Sequence, residues 1–281
     1  ALRSRYKIET ETPICRHGEV LDRRLQGEAG RGVRFATTSG SSGTPKRIPY
    51  SSGRVRQVKA IYMDVFCRAF TALSVSRTSL YVFSATRTDD SLTSLMMAER
   101  RSLPPYFSTL QAPYRVHSHP EMLALEDLYG SVAVRLWVMV IANPGAVYAT
   151  NPSTIALFLE RLVSDWDSST ALIRDWVRDH SRFSKPVRRI AARLRSKGDS
   201  SRLEAISLSP TPLKFERCVP GLSLLCCWDG GYVRPYLERI WAHIDREKVQ
   251  HLPMYSMSTE TVETLPDFRG SDVAFLPTAP G

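Results

Sequence analysis

The sequence of 281 residues predicts a layered α/β fold built on a largely parallel β-sheet. Short apolar segments alternate along the chain with segments of helical periodicity, and this alternation is typical of parallel sheets covered by helices. Two of the apolar segments also lead into turns of small residues that precede a helix, as in folds that bind ligands at strand ends. The sequence contains no detectable internal repeat and indicates no domain boundary within residues 1–281.

The predicted strands are short, apolar and bounded by turn residues. They comprise Val33–Ala36, Ser79–Ser84, Ala146–Ala149, Leu222–Cys227 and His251–Met254. The charged lead-in of residues 1–35 is predicted to be partly helical around Gly18–Leu25. The stretch Thr86–His119 is rich in Ser, Thr, Arg and Pro, so we expect irregular or hairpin structure there.

The predicted helices carry apolar residues at helical spacing, and several begin with capping residues. They comprise Arg54–Leu73, Pro120–Ala142, a helix that begins at Asn151–Ser153, then Ser169–Asp179, Pro186–Ser196 and Arg234–Ile244. Ser51 or Ser52 is expected to cap the first helix, and Gly130 is expected to break the second. The inner face of the third helix is predicted to consist of Ile155, Phe158, Leu159 and Leu162.

The net charge of +10 suits nucleic acid, an anionic membrane or anionic small substrates as a partner. The densest basic cluster is Lys185–Arg195, and its apolar residues follow helical spacing at Val187, Ile190, Ala191 and Leu194. We therefore expect an amphipathic helix whose arginines lie on a solvated face. No aromatic interleaving or nucleic-acid motif accompanies the cluster, so we expect no nucleic-acid partner.

The sequence also bears on the cellular compartment. No apolar run approaches the ~18 residues of a membrane span, the N-terminus lacks a signal-peptide pattern, and we expect no membrane partner. The five cysteines form no C-x-x-C pair, which suits a reduced, cytoplasmic protein; they are Cys15, Cys67, Cys218, Cys226 and Cys227. Because the chain begins at Ala1 and stops at Gly281 without a terminal helix, we expect a fragment of a longer protein.

His117 and His119 are the one pair of histidines at a spacing that suits a metal site. Two residues apart on a strand, they would face the same side. No third ligand lies near them in the sequence, so ordinary polar roles are favoured over metal binding.

The stretch Thr37–Lys46 is the strongest functional signal, because its small and hydroxyl-bearing residues end in Pro-Lys. Glycines let successive backbone N–H groups turn inward to form an anion-binding concavity, and Lys46 adds a positive charge. The expected anion is a polyphosphate. The pattern is not a Walker A loop, which requires G-x-x-x-x-G-K-[ST]. A flexible Gly/Ser linker is the alternative, but a linker is not expected to end in Pro-Lys and continue into an amphipathic helix.

Three segments occur in the order and spacing of one known family. They are the loop Thr38–Lys46, the strand and helix joined by Cys227–Gly231, and Ser258–Glu260, with Gly145–Pro152 resembling the family's middle region. Together they resemble the auxin-responsive acyl acid amido synthetases of plants and their bacterial relatives, a branch of the adenylate-forming superfamily. The resemblance extends from about Gly32 onward. It implies that residues 1–281 are an incomplete N-terminal adenylation domain with a mostly parallel sheet, without the C-terminal lid domain.

The resemblance also implies ATP and Mg²⁺ as cofactors and assigns roles by position. ATP would be bound by Thr38, Ser39, Gly40, Ser41, Ser42, Gly43, Thr44, Lys46, Gly230, Ser258, Thr259 and Glu260. Lys46 and Glu260 would be the catalytic residues, with Glu260 also holding Mg²⁺. The acyl substrate would contact Val55, Val58, Tyr62, Trp228, Asp229 and Gly230.

The implied reaction has two steps. A carboxylate attacks the α-phosphorus of ATP to give an acyl-adenylate and pyrophosphate, and an amine, usually an amino acid in this family, then displaces AMP to form an amide. Such chemistry depends on positioning and charge stabilisation more than on a protein nucleophile. The absence of a Ser-His-Asp or paired-carboxylate pattern agrees with this. The expected partners are a small carboxylic acid and an amine or amino acid, and the sequence does not indicate the oligomeric state.

Two features depart from the family's pattern. Ser256 stands where the family has an aromatic residue that stacks on adenine, and Tyr255 lies one residue earlier, where a strand would point it to the opposite face. The chain also ends before the family's ribose-binding Asp motif and its closing C-terminal domain, so this fragment alone is expected to be poorly active.

Three of the predicted site residues also have ordinary structural interpretations. Glu260 is alternatively a surface carboxylate, Trp228 a packing residue and Asp229 a turn or cap residue. The alternative functions are an acyl-adenylating acid–thiol (CoA) ligase and a non-catalytic nucleotide- or acyl-binding remnant. The remnant is favoured if Ser256 reflects a lost adenine site.

Overall fold

The computed structural model describes residues 34–37, 47–75, 77–83, 115–117, 123–254, 264–268 and 274–277. By their contacts the residues fall into two units. The first comprises Ala1–Phe66, Asp89–Thr109 and Tyr255–Gly281, and the second comprises Cys67–Thr88 and Leu110–Met254. The predicted helical character around Gly18–Leu25 lies outside the described residues. The assignment of residues 1–281 to one adenylation domain stays a prediction.

The strands of the described residues are all short. In chain order they are β1 (Arg34–Thr37), β2 (Arg47–Tyr50), β3 (Ser79–Val82), β4 (Arg115–His117), β5 (Ala146–Tyr148), β6 (Leu224–Cys227), β7 (Gln250–Pro253), β8 (Thr264–Asp267) and β9 (Ala274–Pro277). The helices are α1 (Ser52–Ala72), α2 (Leu123–Ala142), α3 (Pro152–Ser164), α4 (Trp166–Asp179), α5 (Lys185–Leu194), α6 (Asp199–Leu208), α7 (Phe215–Cys218) and α8 (Arg234–Trp241). Single 3₁₀ turns occupy His180–Arg182 and Gly231–Val233.

The second unit is built on a five-stranded sheet with the order β4-β3-β5-β6-β7. All its neighbouring strands are parallel. The chain moves from β3 to β4 on one side and then returns to β5 on the other side of β3. In open α/β sheets, a reversal of this kind places a ligand crevice at the carboxyl ends of the two strands that flank it. The strands at this point are β3 and β5, and the predicted parallel sheet is confirmed.

The core of the second unit lies between this sheet and its helices. Helix α2 packs against α4, α5 and α6, and α3 packs against α8. Gly130 interrupts α2 with φ 79° and ψ 160°, as predicted. Beyond Gly130 the helix is apolar nearly all round, and Leu136, Trp137 and Met139 are fully buried. A helix of this composition is stable only when neighbours cover it on most sides.

Local sequence signals account for several helices. The four apolar residues predicted to face inward on α5, Val187, Ile190, Ala191 and Leu194, are its buried residues. The predicted inner face of α3 is likewise buried. Ser51 begins α1, because its hydroxyl oxygen accepts a hydrogen bond from the backbone N–H of Arg54 at 3.2 Å. None of the helices in the described part of the chain has the length and apolarity that crossing a membrane requires.

The first unit contains antiparallel strand pairs. Strand β1 pairs with β2, and β8 pairs with β9. The strand that enters the glycine-rich loop was predicted as Val33–Ala36, whereas its partner β2 and the antiparallel pairing were not predicted. A parallel neighbour needs a connection of roughly a dozen or more residues, whereas only residues 38–46 separate β1 from β2.

Other elements also differ from the predictions. Strand β4 lies within the stretch expected to be irregular or a hairpin, and His117 on it is buried in a parallel sheet. Its short length and polar flanks gave no periodic signal. Helices α6 and α7 were not predicted, because neither carries a long apolar repeat.

We predict that Gly145→Ala destabilises the second unit strongly. A Cβ at this position would meet the carbonyl oxygen of Arg77 and lie 2.9 Å from its carbonyl carbon. Because backbone atoms cannot move aside without shifting β3 or β5, we expect a loss of about 3 kcal/mol in the free energy of unfolding. Chemical denaturation measures this loss. Gly230→Ala is the matched control, since a Cβ there meets nothing within 4 Å. Equal stability of the two variants would contradict the prediction.

Candidate functional site

The carboxyl ends of the parallel strands meet at one edge of the sheet. We call the residues that follow the strands there, Phe83, Ala149–Asn151, Trp228–Gly230 and Met254, the carboxyl edge. Backbone hydrogen bonds continue the sheet into it: Phe83 N–H donates to the Tyr148 carbonyl at 2.8 Å, and Trp228 N–H donates to the Thr150 carbonyl at 3.1 Å. The segments after β5 and β6 are therefore held side by side.

The segment after β5 carries two polar side chains in fixed positions. The hydroxyl oxygens of Thr150 and Tyr148 lie 2.8 Å apart and form a hydrogen bond. The Asn151 side-chain oxygen accepts a hydrogen bond from the Ser153 N–H at 2.9 Å, and Pro152 occupies the first turn of α3. The predicted helix start is confirmed. Both residues lie in Gly145–Pro152, the segment that resembles the family's middle region; the sequence predicted a capping role for Asn151 and no individual role for Thr150.

The segment after β6 presents open backbone. Trp228 is partly buried, whereas Asp229 and Gly230 are exposed. Gly231 has φ +58°, a left-handed conformation that favours glycine. The side chain of Tyr232 is 74% exposed. This strand, turn and helix follow the predicted order, while the substrate-binding roles of Trp228, Asp229 and Gly230 stay predictions.

Cys227 and His251 lie beneath this segment. The Nε2–H of His251 donates to the Cys227 carbonyl at 3.2 Å, and Nε2 lies 3.6 Å from the Cys227 sulfur. Burial, reinforced by the negative charge of Asp229, raises the pKa of Cys227 to about 12. A thiol with this pKa stays protonated at neutral pH and is a poor nucleophile. The pair therefore lacks the activated thiolate that cysteine-dependent catalysis requires.

The predicted acyl-pocket residues on α1 are all buried. Val55 and Val58 are 1% and 2% exposed, and the Tyr62 ring centroid lies 6.5 Å from that of Phe66. Burial fits either packing or a pocket wall, so their substrate role stays a prediction. The remaining predicted site residues lie outside the described residues: Thr38, Ser39, Gly40, Ser41, Ser42, Gly43, Thr44, Lys46, Ser258, Thr259 and Glu260. Ser256 lies outside them as well.

Within the ranges that the structure describes, no three side chains of His, Cys, Asp or Glu are grouped so that they could hold a metal ion. His117 lies in β4, and His119 is outside the described residues. The predicted Mg²⁺ ligand, Glu260, stays a prediction.

Comparison with known proteins decides the family. The model of the GH3 family N-terminal domain matches residues 28–249. The chain belongs to the GH3 family. This confirms the predicted family, since acyl acid amido synthetases with the GH3 name are among the proteins whose folds are similar. No curated protein matches this GH3 chain in sequence.

Two solved structures share the fold of this GH3 chain. AtGH3.15 acyl acid amido synthetase in complex with 2,4-DB has a TM-score of 0.60 and 14% identity, covering 95% of this chain and 50% of that chain. A structure of GH3.15 acyl acid amido synthetase has a TM-score of 0.55 and 15% identity, covering 94% and 49%. The likeness confirms the predicted fold class. The chain spans about half the length of the structures it matches.

We predict that Asn151→Ala destabilises the start of α3. The substitution removes the side-chain oxygen that accepts from Ser153 N–H and leaves a helix donor without its cap. The expected loss is about 1 kcal/mol in the free energy of unfolding, measured by chemical denaturation. Asn151→Ser retains a capping oxygen and is expected to remain close to the wild type. A loss of the same size in both variants would argue against the capping role.

We also predict a pH dependence that originates at His251. Its burial lowers the pKa of the imidazole below the ordinary value of 6.5, so the unfolded chain binds the proton more readily than the folded one. Stability from this group is therefore present above pH 6.5 and decreases as the pH falls towards the lowered pKa. Denaturation midpoints at pH values between about 7.5 and 5 should fall less in His251→Gln than in the wild type. Parallel pH profiles would contradict this assignment.

Proposed function

We propose that this GH3 chain is the adenylating part of an enzyme that activates a carboxylic acid with ATP and joins it to an amine or amino acid. The match of the GH3 N-terminal domain to residues 28–249 carries the proposal, because the matched range includes both the Thr38–Lys46 loop and the Trp228–Gly230 segment. The acyl acid amido synthetase name of the structures with a similar fold supports it.

The proposed chemistry balances in two displacements. A carboxylate oxygen of the acid bonds to the α-phosphorus of ATP, the bond from that phosphorus to the bridging oxygen breaks, and pyrophosphate leaves. The amine nitrogen then bonds to the acyl carbon, the bond from this carbon to the AMP oxygen breaks, and the nitrogen loses a proton to solvent. Positioning and charge stabilisation account for catalysis in such displacements. The protonated thiol of Cys227 agrees with a mechanism that requires no protein nucleophile.

The loop and Lys46 are proposed to bind the ATP phosphates. The backbone N–H groups of Thr38–Thr44 donate to phosphate oxygens, and Lys46 stabilises the charge that develops as pyrophosphate leaves. Ser258 and Thr259 contribute hydroxyl donors to the nucleotide. These roles rest on the family's pattern and on the chemistry of the residues.

The acyl acid is proposed to contact Trp228, Asp229 and Gly230, with Val55, Val58 and Tyr62 forming apolar walls. Open space at Gly230 supports this proposal, since a Cβ built there would meet no atom of the described residues within 4 Å. A partly buried Trp228 offers an apolar surface next to exposed polar groups, a combination typical of small-molecule sites.

Mg²⁺ is proposed to be held by Glu260. A carboxylate oxygen fits the preference of this hard cation for oxygen ligands, and phosphates usually supply the rest of its coordination. The ion, when bound, neutralises phosphate charge.

Free thiols at Cys67, Cys218, Cys226 and Cys227 suit the reducing cytoplasm that we propose as the compartment.

Substitution of Lys46 tests the proposal. In the full-length protein, pyrophosphate exchange into ATP is measured with a panel of carboxylic acids. We expect acid-dependent exchange in the wild type and a fall of about 100-fold in Lys46→Ala, because one charge-stabilising group is lost. Lys248→Ala is the matched control: Lys248 pairs with Asp245 at 3.0 Å on the surface, and its removal should leave the exchange rate unchanged.

The outcomes separate the candidate functions. Release of AMP that depends on an amine supports the amido synthetase, whereas release that depends on a thiol indicates a CoA ligase. If no acid in the panel supports pyrophosphate exchange, the proposed enzymatic activity is refuted, and a non-catalytic nucleotide- or acyl-binding remnant is favoured. Ser256, at the position of the adenine-stacking aromatic, is the observation that favours the remnant.

A further inference from the structure

One ion pair joins the two helices that begin at the carboxyl edge. Arg239 on α8 donates from Nε and Nη2 to the two carboxylate oxygens of Glu160 on α3, each at 2.6 Å. The residues are 79 positions apart in the chain. Hydrogen bonding from Arg239 lowers the pKa of Glu160, so the carboxylate is ionised at neutral pH. The pair is thus a two-point, charge-assisted contact with a fixed geometry.

The two helices follow neighbouring segments of the carboxyl edge, and one of these segments, Trp228–Gly230, is proposed to contact the substrate. Helix α3 follows Thr150 and Asn151, and α8 follows the segment from Trp228 to Val233. The helices pack against each other, and their preceding segments share the hydrogen bond from Trp228 N–H to the Thr150 carbonyl. A shift of α8 along α3 would therefore move Trp228–Gly230 relative to Thr150.

Among the residues that the structure describes, few other directional contacts hold helix α8 against such a shift. It has eight residues, a length at which an isolated helix is unstable, and no side chain caps its first turn. Its buried Leu237 and Ile240 provide apolar packing, which is non-directional. The guanidinium of Arg239 also lies 4.9 Å from the ring centroid of Tyr236 on the same helix, which orients the arginine side chain. At the end of α8 the Trp241 ring contacts the His251 ring edge-to-face, with the centroids 6.3 Å apart, and the pair with Glu160 is the ion pair that joins α8 to α3.

We infer that Glu160 and Arg239 are positioning residues that hold the Trp228–Gly230 segment in place for the acyl substrate. This inference rests on the proposed function. Within the described part of the chain neither residue forms a hydrogen bond or an ion pair with the segment, so each acts through the position of α8. The side chains of Arg239 and Glu160 are 42% and 34% exposed, and ion pairs this accessible contribute little to global stability. Their main effect is on geometry.

The test compares single substitutions with a charge-reversed pair in the full-length protein. Glu160→Gln and Arg239→Gln are expected to lower kcat/KM for the carboxylic acid by about tenfold, because a small misplacement of substrate-orienting groups slows catalysis. The KM for ATP should change by less than about twofold and the melting temperature by only a few degrees. The double variant E160R/R239E restores a pair of opposite charges, and its kcat/KM for the carboxylic acid should be at least threefold higher than that of either single variant.

Hydrogen exchange provides a readout that does not require activity. Backbone amides of residues 229–236 should exchange about tenfold faster in Glu160→Gln and Arg239→Gln, and this change should be reduced in E160R/R239E. Arg178→Gln is the matched control, because it removes an arginine from a surface pair with Asp175 within α4 and should leave both readouts unchanged.

The two proposals fail separately. Unchanged hydrogen exchange at residues 229–236 in both single variants overturns the positioning role, whatever their activity. A loss of protection spread over the whole second unit, with a large fall in melting temperature, also overturns it, since the pair would then be a general stabilising contact. If the wild type lacks acid-dependent pyrophosphate exchange, the proposed function fails, and the local change in hydrogen exchange still decides whether Glu160 and Arg239 position the segment.

Discussion

The close approach of the chain at Gly145 is the constraint on which the second unit depends. Its N–H donates to the Ser79 carbonyl at 3.0 Å, while its own carbonyl accepts from the N–H groups of Ser223 and Leu224 at 2.9 and 3.1 Å. One residue without a side chain thus aligns the amino ends of β3, β5 and β6. Because a strand advances by a fixed rise, this alignment determines which residues emerge together at the opposite edge. The neighbourhood of Thr150 and Trp228 is its consequence.

Much of this unit could be predicted because its signals are local. The four buried apolar residues of α5 fall on one helical face, Asn151 and Pro152 form a recognisable helix start, and Gly130 interrupts an otherwise continuous pattern. Strand β4 carries no such signal: its three residues become a strand by pairing with β3, a contact between distant parts of the chain. The antiparallel pairing of β1 and β2 was missed for the same reason, since periodicity reports a strand and not its partner.

The candidate site shows the same difference between local sequence signals and contacts between distant parts of the chain. The sequence predicted a turn of small residues after β6, and the structure has it, with Gly231 in a left-handed conformation. Thr150 could not be identified, because a single threonine after a strand is common and only the sheet register brings it beside Trp228. No sequence motif marks Glu160 or Arg239, because only the packing of α3 against α8 brings these two residues together. The ATP-binding role of the loop that ends at Lys46 stays a prediction, which rests on the composition of the loop and on the family's pattern.

The order of strands in the sheet has a consequence for biosynthesis. Strand β3 lies between β4 and β5, yet the backbone that pairs with Ser79 at Gly145 is synthesised 66 residues later. At translation rates of about 5–20 residues per second, this delay lasts roughly 3–13 s. Throughout that interval the apolar strand β3 lacks its partner β5, and its other partner β4 is synthesised only part-way through it. An apolar strand without its neighbours is the condition under which nascent chains are captured by chaperones or by one another. Slow formation of helices elsewhere in the unit would change the time for which β3 is exposed very little. Translation pauses between β3 and β5 would lengthen it directly.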